Sequence, residues 1–188
     1  MLHRTVIFLL LSICYPAYAQ TSKIDSLLSL LKKDKEDTNK VIHLNALGWQ
    51  LMYSNPDTAI ILSNQALVIA SGAKQSPEWK KGIANSLGNL GVYYYLKADY
   101  PKALDYYLKA LKIDEELSKS PASAEAMAGK KGIATRLGNI GLVYSDQADY
   151  PKALDYYFKA LKMDEELGNK NYQAKVLGNI GLVYWNQD

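Results

Sequence analysis

Few side chains in this chain have the chemistry to react, and their spacing is the first thing to weigh. The sequence holds two histidines and one cysteine, at His3, His43 and Cys14. His3 and Cys14 lie in an apolar N-terminal stretch, so beyond it His43 stands alone. One imidazole with no thiol and no second histidine cannot complete a nucleophilic triad or a His/Cys metal site. Three acids in a row occur twice, as Asp114, Glu115, Glu116 and as Asp164, Glu165, Glu166. Three acids in a row spread around a helix rather than converge, so they read as a solvated face. The phrases "LGNLG" (87–91) and "LGNIG" (137–141) carry glycines but lack the strand–turn context that a phosphate-binding loop requires. The pairs Lys80–Lys81 and Lys130–Lys131 do not build a continuous basic stripe. No catalytic, metal or cofactor site is expected, and the chain is not read as an enzyme.

What remains is a set of side chains suited to binding. On helical spacing, Asn85, Asn89, Val92 and Leu96 share a stripe, with Tyr95 beside it. The same stripe recurs as Thr135, Asn139, Leu142 and Asp146. It recurs again as Lys175, Asn179, Leu182 and Asn186, with Trp185 beside it. A carboxamide both donates and accepts hydrogen bonds, so a ladder of Asn89, Asn139 and Asn179 suits a peptide backbone of any sequence. The same amides could instead hydrogen-bond inside the protein and stabilise it. Both readings stand at this point.

The elements that position these residues follow from internal repetition. "ADYPKALDYYLKALKIDEEL" (98–117) and "ADYPKALDYYFKALKMDEEL" (148–167) differ only at Leu108/Phe158 and Ile113/Met163. "LGNIGLVY" occurs at 137–144 and 177–184, and "LGNLGVYY" at 87–94. Leu137 and Leu177 are 40 residues apart, while Leu87 and Leu137 are 50 apart, the excess being "SPASAEAMAG" at 120–129. Each unit reads as two helices. Leu87, Leu90, Gly91 and Tyr94 fall at i, i+3, i+4 and i+7, one face of the first. Tyr100–Pro101 opens the second, with proline where its missing N–H costs nothing. Ala103, Tyr107, Ala110 and Leu111 form that helix's apolar stripe. Most of the fifteen tyrosines lie in these phrases and are read as architecture.

This pattern resembles the tetratricopeptide repeat: Leu87-x2-Leu90-Gly91-x2-Tyr94, then Ala103-x3-Tyr107 and Ala110, and again Leu137, Ile140, Gly141, Tyr144, Ala153, Tyr157, Ala160. It departs from the family in having leucine for the signature tryptophan, tyrosine for phenylalanine, and no terminal proline. A degenerate copy begins at Leu44, Leu47, Gly48 and Leu51. The resemblance implies an all-α fold, a right-handed α-solenoid of stacked antiparallel helix pairs with no sheet. It also implies that Asn85, Asn89, Val92, Tyr95, Thr135, Asn139, Leu142, Asp146, Lys175, Asn179, Leu182 and Trp185 line a concave groove for a peptide or protein segment. The lysine/arginine clamp for C-terminal carboxylates is not matched, because Val92 and Leu142 occupy a key polar position.

The chain divides into 1–19, 20–37 and 38–188. The first part has a short basic start "MLHR", an apolar run too short to span a bilayer comfortably, and "AYA" before Gln20, which together read as a cleaved export signal. Acylation at Cys14 is disfavoured by the bulky Ile13. The product is expected to be exported, periplasmic or secreted, and free of disulfides. "KIDSLLSLLKK" (23–33) is amphipathic and caps the stack. The repeats are placed at about 39–75, 76–119, 120–169 and an incomplete 170–188. The insertion is expected to lengthen a first helix, with Ser120 as N-cap, Pro121 at its first position and Gly129 as a weak point. Gly168 is expected to end the preceding second helix. The unit from 170 lacks a second helix, so the chain is read as a fragment whose last helix exposes an apolar strip, offering self-association. A formal charge of +3 is too small and scattered to indicate nucleic acid. The export signal and long repeats also resemble the exported input regions of bacterial sensor kinases, cyclases and related regulators, an alternative that implies a membrane span and output module.

Overall fold

The computed structural model describes residues 21–72, 76–121 and 123–187. The export signal expected at 1–19 lies outside them. Among the described residues all regular structure is helical: α1 (21–31), α2 (Thr38–Leu51), α3 (Pro56–Gly72), α4 (Pro77–Leu96), α5 (Tyr100–Ser118), α6 (Ser123–Asp146), α7 (Tyr150–Glu166) and α8 (Lys170–Trp185). None of them is long and apolar enough to cross a membrane.

Repeated phrases make repeated caps. Asp99 and Asp149 are the N-caps of α5 and α7, each accepting from the backbone N–H of the lysine three residues on at 3.3 Å, with proline just inside. The same lysines close ion pairs to these aspartates, and their ammonium groups lie over the Tyr94 and Tyr144 rings. Those rings stack on Tyr106 and Tyr156 with centroids 5.3 and 5.5 Å apart. The α4–α5 and α6–α7 units are therefore each pinned at the turn by one cap, one ion pair, one cation–π contact and one ring stack. In both turns the residue before the cap, Ala98 or Ala148, holds a left-handed backbone with φ of 56° or 58°. Gly168 takes the same region at 64° just past α7, as expected for its role as helix terminator.

From α2 onward each helix packs on the next in sequence, and the first helices α2, α4, α6 and α8 also touch one another in succession. No such contact joins α3 to α5 or α5 to α7. A stack whose first helices are closer together than its second helices curves toward the first. The core runs between the layers. Val41, Leu44, Ala66, Ala70, Ile83 and Leu87 fill the α2–α3–α4 junction, and Ala153, Tyr157, Ala160, Val176, Ile180 and Val183 fill α7–α8. Leu27 of α1 is buried and Leu31 packs on the first of these clusters, so α1 covers that end. Close helix approach depends on the recurrent glycine: a Cβ at Gly91 would lie 2.5 Å from the Tyr107 ring, and at Gly141 2.7 Å from that of Tyr157.

Three expectations need correction. α6 begins at Ser123, not at Pro121, and Ser120 uses its hydroxyl to donate to Glu125 at 2.5 Å. Gly129 is not a weak point but a crossing: a Cβ there would collide with the backbone of Asp114, Leu117 and Ser118 at the end of α5. The acids at the ends of α5 and α7 are not wholly solvated. Glu115, Glu116, Glu165 and Glu166 are exposed, whereas Asp114 and Asp164 are buried, because the stripe Ala103, Tyr107, Ala110 returns to the core at every third or fourth residue.

Candidate functional site

A groove of 350 Å³ runs along the curved-in face, and all four first helices contribute to it. Of the side chains expected there, Val92 and Tyr95 come from α4, Thr135, Asn139 and Leu142 from α6, and Lys175 and Asn179 from α8. The helical spacing places them together because one face of each first helix is turned away from the second-helix layer. A larger depression of 610 Å³ lies between α2 and α3, lined by Leu44, Ile61, Val68 and Ile69 with Lys40 and Glu36. Its walls come from one helix pair only and present no repeated polar ladder, so the first-helix groove is the better candidate.

The asparagine ladder divides in two. Asn89 donates to Asn45 Oδ1 at 3.4 Å and joins a buried network in which Asn45 donates to Ser86 at 2.8 Å and Ser63 donates to Asn45 at 3.1 Å. That amide is used within the stack. Asn139 and Asn179 are half-buried in the groove wall, and neither carboxamide makes a hydrogen bond to another described residue. Half-buried amides left with free donors and acceptors are poised for a ligand's polar groups.

Four expected residues lie elsewhere. Asn85 is exposed at the rim of a neighbouring depression of 550 Å³, beside Lys81, Lys131 and Thr135. Asp146 accepts the Tyr95 hydroxyl at 2.6 Å, a latch between α4 and α6. Burial and this carboxylate both push the Tyr95 phenol well above its usual range, so it stays protonated and donates. Leu182 and Trp185 on α8 are 60% and 80% exposed and do not line the groove.

Several lining residues were not anticipated. Trp49 of α2, with Met52 and Tyr53 just past its C-terminus, forms one end, and Gly138, Asp164 and Tyr172 complete the wall beside the expected stripe residue Leu96. Trp49, Met52 and Tyr53 occupy the same register positions as Val92, Tyr95 and Leu96 when Leu44 is aligned with Leu87, so extending the stripe into the degenerate repeat finds them. The groove is thus an aromatic trough of Trp49, Tyr53, Tyr95 and Tyr172 with an aliphatic floor of Val92 and Leu142. Two free carboxamides and one unpaired ammonium, that of Lys175, edge it. No three His, Cys, Asp or Glu side chains among the described residues converge on a metal-sized point, and the lone His43 is paired with Asp34 at 2.7 Å.

Comparison with known proteins agrees with this architecture. The family profile for the tetratricopeptide repeat matches residues 84–117 and 134–167. No curated protein matches in sequence. Among solved structures, the crystal structure of the apo form of RapI superimposes with a TM-score of 0.69 at 21% identity, over 85% of this chain and 53% of that one. The crystal structure of BtubC from P. vanneervenii gives 0.67 at 21% identity, over 90% of this chain and 65% of that one. At this identity the likeness shows the fold, an all-α helical-repeat solenoid, and the chain spans about half the length of RapI.

Proposed function

We propose that this tetratricopeptide-repeat stack is an exported, non-catalytic scaffold that holds an extended peptide or partner-protein segment in the first-helix groove. The observation that carries the reading is the pairing of free carboxamides, Asn139 and Asn179, with the aromatic trough from Trp49 to Tyr172. An extended peptide presents a donor and an acceptor at each residue, which an amide edge satisfies. Rigid aromatic side chains add contact area at little entropic cost. The surface is built from packed helices and needs little ordering on the protein side to bind.

The test is a peptide array probed with the chain from Gln20. Asn139→Ala with Asn179→Ala is expected to weaken capture by about 1–3 kcal/mol while leaving the thermal transition unchanged. Asn89→Ala is expected to do the reverse, lowering stability through the Asn45–Ser86 network and sparing capture. Capture indifferent to both groove asparagines and to Trp49→Ala sinks the reading. The alternative, an exported input region of a signalling protein, uses the same groove. It requires the gene to encode further repeats past codon 188 and then an apolar run of about 20 residues.

Self-association is the second part of the proposal, through the exposed apolar side chains of α8. Leu177, Tyr184, Leu182 and Trp185 are 53%, 51%, 60% and 80% exposed, and the space over Gly181 is open. Together these side chains expose on the order of 500 Å². Two copies facing each other would hide about 1,000 Å², the lower bound for a specific interface. Light scattering is expected to show a concentration-dependent dimer that Leu177→Glu with Leu182→Glu converts to monomer. A wild-type chain that stays monomeric at high concentration removes this part.

A further inference from the structure

Three successive junctions between first helices can be compared position by position, because the recurrent "LGNxG" phrase fixes their register. At the α2–α4 junction, Ser86 accepts from Asn45 and donates to the Gly82 carbonyl at 2.9 Å, so the spot is closed by a neutral pair. At the α4–α6 junction, Arg136 takes the place of Ser86. Its guanidinium lies flat over Gly88, where a Cβ would collide with it. Its Nε donates to Asp114 Oδ2 at 3.3 Å and its Nη2 to the Ala84 carbonyl at 3.3 Å.

At the α6–α8 junction the three residues that contact that guanidinium have counterparts and the arginine does not, while Tyr172 replaces the Gly132 that lies against Asp114. Asp164 stands for Asp114, Gly138 for Gly88 and Ala134 for Ala84, while Val176 stands for Arg136. Nothing lies within 4 Å of where a Cβ on Gly138 would sit. The Asp164 side chain is buried, 1% exposed as a residue, and its Oδ2 has no hydrogen-bond partner. Its Oδ1 receives only a long 3.4 Å contact from Asn169. An unpartnered buried carboxylate is costly and calls for a partner. Asp164, Gly138, Ala134 and Val176 all line the candidate peptide groove.

We propose that this spot receives an arginine side chain from the bound peptide, its guanidinium over Gly138 and donating to the Asp164 carboxylate. The inference rests on the groove reading and adds a specificity to it. Arginine is favoured over lysine because a planar fork can lie on the flat backbone of Gly138 and reach the carboxylate and the Ala134 carbonyl together, as Arg136 does one junction earlier. A compact ammonium reaches only one of them. Burial raises the carboxyl of Asp164 in the free protein, and an arriving guanidinium would pull against that shift.

The experiment uses three pools of immobilised peptides that share apolar and aromatic flanking positions and differ at one fixed central residue, arginine, citrulline or lysine. The chain from Gln20 is expected to retain the arginine pool about tenfold more tightly than the citrulline pool, with lysine between them. Asp164→Asn is expected to erase the arginine preference while holding the citrulline pool as wild type does. Val176→Arg supplies the guanidinium from the chain itself, so it is expected to erase the preference and raise the melting temperature. Circular dichroism establishes that both variants are folded. Equal retention of the three pools by wild type, with Trp49→Ala weakening all of them, overturns the arginine site and leaves the groove standing. A preference that survives Asp164→Asn or Val176→Arg also overturns it. Retention of no pool overturns both.

Discussion

Arg136→Ala is expected to lower the free energy of unfolding by about 3–5 kcal/mol, read by urea denaturation at pH 7. Arg136 is buried between α4, α5 and α6, and Asp114, its one charge partner among the described residues, is buried with it. Removing the guanidinium leaves a carboxylate in the interior, an open space over Gly88 and the Ala84 carbonyl without its side-chain donor. The loss comes from stranding the partner and is not the net worth of the pair. Replacing both residues together, Arg136→Met with Asp114→Leu, is therefore expected to restore stability to within about 1–2 kcal/mol of wild type. A single variant as stable as wild type contradicts the reading of this pair as the key of the junction.

The same pair sets a pH dependence whose sign is fixed by burial. Desolvation outweighs the attraction of Arg136 and holds the Asp114 carboxyl at about 6, against about 3.9 for a free aspartate. Between those values the folded chain binds more protons than the unfolded chain. The contribution of Asp114 is greatest below pH about 4, falls as pH rises toward about 6, and is flat above. Asp114→Asn is expected to remove that slope from the stability curve.

Gly129→Ala is expected to cost about 2–3 kcal/mol, although alanine is the better helix former by about 1 kcal/mol. The added methyl would strike the backbone of α5's last turn, and a backbone wall cannot move aside as a flexible side chain can. The control is Gly181→Ala on α8, where the space is open, which is expected to stabilise by about 1 kcal/mol. Opposite signs for one chemical change identify where α6 presses on α5. Thermal denaturation of the two variants beside wild type measures this, and a neutral Gly129→Ala would contradict the crossing.

These contrasts show how far the sequence could be read. The two-helix unit was legible because "LGNxGxxY" and "DYPKALDYY" carry their own periodicity, caps and small residues. Val92, Asn139, Leu142 and Asn179 were legible as groove residues because they share a register in repeats that differ little. Trp49, Met52 and Tyr53 keep that register but sit in a repeat whose second helix has drifted, with Ser63 where Tyr107 stands. Asp114 and Asp164 were misread because each sits in a run of acids whose local pattern looks solvated. The partner that defines Asp114 lies 22 residues away, on a helix of the next unit. Asn89 was ambiguous for the same reason, since its partner Asn45 is 44 residues upstream. Local periodicity reports which face a residue occupies, while pairing across the stack depends on the curvature that brings first helices together.

The central claim is that the curved-in face of the first helices is where a peptide lies. Amide and indole NMR shifts of the chain from Gln20, followed as a captured array peptide is titrated in, test it most directly. The account predicts perturbations concentrated at Trp49, Tyr95, Asn139, Leu142 and Asn179, with the outer faces of α3, α5 and α7 silent. Perturbations confined to those outer faces, or to the exposed strip of α8, would contradict it.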